Sequence, residues 1–196
     1  MWWTAYVDGG PRRVNHAAVA VGDFIYSFGG YCSGADYERP VPIDVHVFNT
    51  SKQFFVLLFI HFYSSSSFVF FKRTCIVFSI LDTYQWHSLP APKHILSRTI
   101  PYQRYGHTAV GYRNNCYIWG GRNDVDGACN VLFEFDPRSA EWSKIHATGV
   151  VPPARDGHSA CVYGDKMLVF GGYEEIFQRF SNETYIFDFP SPCRTT

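Results

Sequence analysis

One spacing occurs three times in this chain of 196 residues, and it constrains the fold more than any other feature. The segments are RRVNHAAVAVGDFIYSFGGY (Arg12 to Tyr31), QRYGHTAVGYRNNCYIWGGR (Gln103 to Arg122) and ARDGHSACVYGDKMLVFGGY (Ala154 to Tyr173). In each, a histidine precedes a Gly-Gly pair by 13 residues: His16 and Gly29-Gly30, His107 and Gly120-Gly121, His158 and Gly171-Gly172. The last two copies lie 51 residues apart. A motif repeated at such intervals is the mark of stacked copies of one small unit.

Each copy reads as short antiparallel strands. HAAVAV, HTAVGY and HSACVY are small and β-branched runs. Turns are expected at Gly22-Asp23, Asn114-Asn115 and Gly164-Asp165, residue types that accept the backbone angles of tight hairpins. A second strand, FIYSF, CYIW or MLVF, ends on the glycines. IDVHVFN, NVLFEFD and NETYIFD form a third, and Trp86 and Trp142 mark a fourth. Four strands per unit at this period predict an all-β chain, an incomplete kelch-type β-propeller. At the glycine pairs, a side chain would block blade packing or a backbone angle that glycine reaches freely.

Repeats are expected over residues 12–50 with 82–90, 103–145 and 154–188. Trp3 precedes His16 as Trp142 precedes His158, so the chain is expected to start on the outer strand of another blade. The third copy has no closing tryptophan: seven residues past Phe135 is Trp142, but seven past Phe187 is Arg194. Such an arc leaves blade faces and sheet edges open, so marginal stability is expected.

The first copy is interrupted. Deleting Ser51 to Leu81, 31 residues with eight Phe and six Ser, joins FNT to DTYQW and matches FDPRSAEW without a gap. Phe and many Ser, Leu, Ile and Val codons are pyrimidine-rich. Ser51-Lys52 can be encoded by AGTAAG and Leu81-Asp82 by TTAGAY, which hold a splice donor and acceptor. The segment is expected to be a retained intron read in frame, with the C-terminal FPSPCRTT a candidate for a second such boundary. A membrane span needs about 20 apolar residues. The longest clean run here, Phe54 to Ile60, has seven.

Composition removes several function classes. Acidic and basic residues balance at 17 each, so no global field draws the chain to nucleic acid or an anionic membrane. The start, Met1-Trp2-Trp3-Thr4, lacks a basic segment and an apolar one, so no signal peptide is expected. The six cysteines have no C-x-x-C spacing, and reduced thiols in a cytoplasmic or also nuclear protein are expected. The repeat histidines sit on separate units, which suits a repeat better than a metal site. Asp156, His158 and Ser159 lie too close on one strand for a triad. No phosphate loop is present, because the glycine pairs end strands. No catalytic residue, metal or cofactor is expected.

Beyond the generic repeat, GGPRRVNHAAVAVGDFIYSFGGYCSGADYE, WGGRNDVDGACNVLFEFD and PARDGHSACVYGDKMLVFGGYE extend into the loops after the glycines. Together they resemble a kelch-repeat family of substrate receptors for cullin-2 RING ubiquitin ligases. The resemblance covers Gly9 to about Asp188, apart from the insert. It implies six four-stranded blades, of which this chain holds three. It also implies recognition of C-terminal degrons, typically ending in glycine, and docking to elongin B/C and cullin-2 through a region absent from this sequence. A link to chromatin in meiotic germ cells comes with the same family. A non-ligase scaffold for chromatin or cytoskeletal partners is the alternative.

A C-terminal carboxylate requires charge-assisted donors, and arginine's planar fork suits it. Arg13, Arg104 and Arg155 recur ahead of the first strand, and Arg122 follows a glycine pair. Tyr31 and Tyr173 share one repeat position and could wall a pocket. These six are the candidate substrate-binding residues. The other reading is that the repeating Arg and His brace neighbouring blades. His16, His107, His158, the glycine pairs, Trp86 and Trp142 are expected to be structural.

Overall fold

The computed structural model describes residues 2–5, 9–33, 41–51, 84–91 and 99–190, and the backbone of 55–62 and 73–80. The rest, including 63–72 of the insert and the 191–196 tail, lie outside the described residues.

The first blade is a four-stranded antiparallel meander. Its strands are β1 (Ala17–Val21), β2 (Phe24–Phe28), β3 (Val45–Asn49) and β6 (Trp86–Ser88), in that order. The second runs β7 (Tyr105–Tyr112), β8 (Asn115–Asn123), β10 (Leu132–Asp136) and β11 (Glu141–Ile145), with β9 (Gly127–Ala128) beside β8. The third runs β12 (Ser159–Tyr163), β13 (Lys166–Phe170) and β16 (Thr184–Asp188). A small pair, β14 (Tyr173–Glu174) and β15 (Arg179–Phe180), sits in its second-to-third connection.

The hairpin turns hold a positive φ at Gly22, Arg113 and Gly164. The second turn is thus Arg113-Asn114, one residue earlier than expected, and Asn115 already pairs with Tyr112. Either turn leaves Cys116 and Ile118 on the same face, because moving a two-residue turn by one position shifts the pairing by two residues; the left-handed backbone at Arg113 is what sets the turn.

The insert contributes β4 (Phe55–Phe62) and β5 (Arg73–Ile80), which pair with each other from Phe55↔Ile80 to Phe62↔Arg73. Around it the blade keeps its register. Phe48 pairs with Trp86 across the interrupted connection, as Phe135 pairs with Trp142 across the short one.

The core lies between blades. Tyr26, Phe28, Val45 and Val47 on one face of the first blade meet Cys116, Ile118, Phe135 and Trp142 of the second. Phe28 lies edge-on to Phe135 and Trp142, with ring centroids 5.6 and 5.8 Å away. The next interface repeats the arrangement, with Val110, Tyr112, Trp119 and Leu132 against Met167, Val169, Phe187 and Phe189. Alternation along each strand makes this possible, because successive side chains point to opposite faces and the second blade packs apolar side chains against a neighbour on each side. Each fully buried aromatic or branched side chain contributes about 1.5–3 kcal/mol.

Candidate functional site

The repeat residues form the joint between blades. In the first two copies the first glycine of the pair abuts the next blade: a Cβ on Gly29 would lie 2.6 Å from the Arg104 carbonyl, and one on Gly120 would lie 2.6 Å from His158 Cε1. The second glycine abuts its own blade's histidine, at 2.6 Å for Gly121 and His107 Cβ. Backbone bonds follow the same rule. Gly30 N–H donates to the Arg104 carbonyl (2.8 Å), and Gly121 N–H to the Arg155 carbonyl (3.0 Å).

A second series runs through the residues before the histidines. Gly106 N–H donates to the Asn15 carbonyl (2.9 Å) and Gly157 N–H to the Gly106 carbonyl (2.8 Å). All three hold positive φ, at 54°, 68° and 66°. His158 Nε2 is 2.8 Å from Thr108 Oγ1 of the preceding blade. Burial, with the Arg104 guanidinium second, lowers the His107 pKa to about 3. Burial and then Arg155 lower that of His158 to about 4. Both rings are therefore neutral at neutral pH.

The arginines before the histidines face inward. Arg104 donates from Nε to the Tyr102 carbonyl (2.9 Å) and from Nη1 to the Gly120 carbonyl (3.1 Å). Arg155 repeats this with Pro153 (3.1 Å) and Gly171 (3.0 Å), and its Nη2 pairs with buried Glu174. Arg155 is 0% exposed. These guanidinium groups brace the glycine pair of their own blade, and only their carbonyls reach the neighbouring one. Arg13 departs from the pattern and pairs with Asp44.

The other candidates gather at one end of the blades. Tyr31, Arg122 and Tyr173 are equivalent, each at the strand end just past a glycine pair, opposite Val14, Tyr105 and Asp156. Tyr31 lies edge-on to Tyr105 of the next blade, with centroids 5.9 Å apart. Tyr105 Oη donates to Asp124 Oδ1 (2.8 Å), and burial and this bond raise its pKa.

Arg122 Nη2 reaches Glu175 Oε1 of the third blade at 3.7 Å. Its Nε is buried and has no hydrogen-bond partner among the described residues. Burial raises the pKa of neighbouring Asp156, with Arg122 acting the other way. Two cavities, of 280 and 460 Å³, meet at Arg122. Asn123, Asp126, Gly127 and Ala128 line both. Asp124 and Glu175 escaped the sequence reading, and Asp156 entered it only as a rejected triad member. They fall in the variable loops or in the RDGH string, where position alone names no partner.

This is a polar recess with one incompletely used guanidinium. Among the described residues, no group of His, Cys, Asp and Glu could hold a metal, and Cys116, Cys129 and Cys161 carry free thiols. No helix of the described residues is long and apolar enough to cross a membrane.

Antiparallel meanders of three or four strands packed face to face, with glycine and histidine at each joint among the described residues, define a β-propeller arc built of kelch repeats. The chain matches the KLHDC2/KLHL20/DRC7 Kelch-repeats domain over residues 65–195 and belongs to that family. It is 45% identical over 190 residues to Kelch domain-containing protein 3 of Bos taurus and covers 95% of this chain and 41% of that protein. Against the Homo sapiens protein of the same name, identity is 44% over 189 residues with the same coverage. The chain thus spans about 41% of the length of these curated relatives. A solved structure, "Structure of YjhT", shares the fold with a TM-score of 0.61 at 17% identity, over 95% of this chain and 51% of that one. Kelch propellers of this kind serve in general as non-catalytic protein-binding scaffolds.

Proposed function

We propose that the chain belongs to a substrate receptor of a cullin-2 RING ubiquitin ligase that reads C-terminal degrons ending in glycine. The observation that carries this reading is Arg122. Its Nε is buried without a partner, and its one ion pair, to Glu175, is long. A terminal carboxylate supplies a charged acceptor for the exposed part of this guanidinium, whose side chain is 31% exposed. A terminal glycine brings no side chain, so the carboxylate can enter a narrow recess. Tyr31 and Tyr173 hold the same repeat position as Arg122 on the two flanking blades. Arg104 and Arg155 hold the glycine-pair loops in place for it, and Arg13 pairs with Asp44. Elongin B/C and cullin-2 would dock on sequence beyond this chain, in the cytoplasm or nucleus.

Fluorescence anisotropy with a glycine-ending peptide tests this. Arg122→Ala and amidation of the peptide are each expected to weaken binding by about a hundredfold. Equal binding of acid and amide, or a longer version of the protein that never recovers elongin, favours the scaffold for chromatin or cytoskeletal partners.

A further inference from the structure

Glu175 and Asp124 hold the same repeat position, three residues past the second glycine of their pairs. Asp124 stays within its own blade, where its Oδ1 accepts from Tyr105 Oη at 2.8 Å. Glu175 meets no such donor in the third blade. The counterpart of Tyr105 there is Asp156, each standing two residues before its histidine. A carboxylate at that position repels Glu175. The Asp156 pKa is raised first by burial, with Arg122 opposing and Glu175 adding to the rise.

Glu175 turns instead across the joint to the second blade. Its Oε2 accepts from the Ala128 N–H at 2.9 Å, and its Oε1 lies 3.7 Å from Arg122 Nη2. Gly127 makes room for it, since a Cβ there would fall 2.8 Å from Oε2. The base of the side chain is fixed. The preceding residue, Glu174, is buried and pairs with Arg155 and with Arg179 Nε (2.7 Å). The Glu175 carbonyl accepts from the Gln178 N–H at 3.3 Å and closes the turn that follows β14. The head is held loosely. The side chain is 42% exposed, and its contact with Arg122 is longer than a hydrogen bond.

We propose that Glu175 is a built-in competitor for the Arg122 recess, occupying the Ala128 N–H and one side of the guanidinium until a ligand carboxylate displaces it. This inference rests on the reading of the recess as a carboxylate site. Glu175 brings to Arg122 the same group that a chain terminus brings, a carboxylate, and it does so from within the protein. The two anions cannot share one guanidinium and one N–H without repulsion, so the weaker-held one leaves. Asp156 is not the one that yields, because its Oδ1 is buried, without a partner among the described residues. Glu175 starts a turn whose next residues, Ile176 and Phe177, are 78% and 57% exposed, and its head swings out into solvent. Displacing it costs every acidic ligand part of its binding energy and sets a threshold affinity for the site.

Fluorescence anisotropy with the labelled glycine-ending peptide, as acid and as amide, tests the competition. Glu175→Ala is expected to tighten the acid about tenfold and the amide by much less, because only the acid answers the freed guanidinium charge. Glu175→Gln keeps an acceptor for Ala128 and loses the charge, and is expected to fall between the wild type and Glu175→Ala. Acid binding that is unchanged or weaker in Glu175→Ala makes the side chain a brace between blades and overturns the proposal, even where Arg122→Ala still removes the preference for the acid. Acid and amide that bind alike in the wild type and in both variants remove the carboxylate reading of the recess, and the competitor with it.

Discussion

Gly120 shows how little room a blade joint leaves. Its φ is +68°, and an added Cβ would fall 2.6 Å from His158 Cε1 and 2.9 Å from the Arg155 carbonyl. Gly120→Ala is expected to cost about 3 kcal/mol in chemical denaturation, through strain plus overlap. Gly22→Ala, with similar φ but nothing within 4 Å, is expected to cost about 1 kcal/mol. Equal losses would remove the packing argument. The histidines add a pH dependence. An unfolded histidine titrates near 6.5, but buried His107 and His158 stay neutral down to about 3 and 4. Between those limits the unfolded chain binds more protons, so stability falls as pH falls. The contribution is whole above pH 6.5 and declines by up to about 1.4 kcal/mol per pH unit for each histidine. Urea titrations at pH 7 and pH 5 read the slope, and His107→Gln is expected to flatten it.

At the level of elements, the strands were largely legible. Alternation, turn residues and the glycine pairs placed β1 to β3, β7, β8, β10, β12, β13 and β16 close to where they fold. The second turn was misplaced by one residue, because Asn114-Asn115 is the stronger turn signal while Arg113 is the residue that holds the positive φ. The insert is the other element-scale question. Phe48 still pairs with Trp86, so the segment leaves the strand pair as the uninterrupted blade has it. We propose that Ser51 to Leu81 is a retained intron. Its excision is expected to preserve the far-ultraviolet dichroism of the remaining strands and to raise the soluble yield, since an aromatic, β-prone segment favours aggregation. Transcripts in which most reads keep the 31 codons would count against it.

For the whole molecule, the three described blades are held by two joints, each a cluster of apolar side chains from two neighbouring sheets. The candidate site belongs to this scale too. Arg122 and Glu175 come from different blades, as do Tyr31 and Tyr105. Any ligand that needs both members of a pair reads the ring and not one repeat.

The sequence by itself determined the unit: strand order, hairpin positions, the glycine pairs and the equivalence of the three copies. Those follow from alternation and turn chemistry, which act between near neighbours. Only the tertiary structure decided where the arginines point. Arg13, Arg104 and Arg155 share a repeat position with each other but not with Arg122. Arg104 and Arg155 are consumed by glycine carbonyls, while Arg122 keeps an unpartnered nitrogen. A guanidinium goes to the acceptors that the assembled neighbours leave within reach, and those neighbours lie a blade away in space and about 50 residues away in sequence.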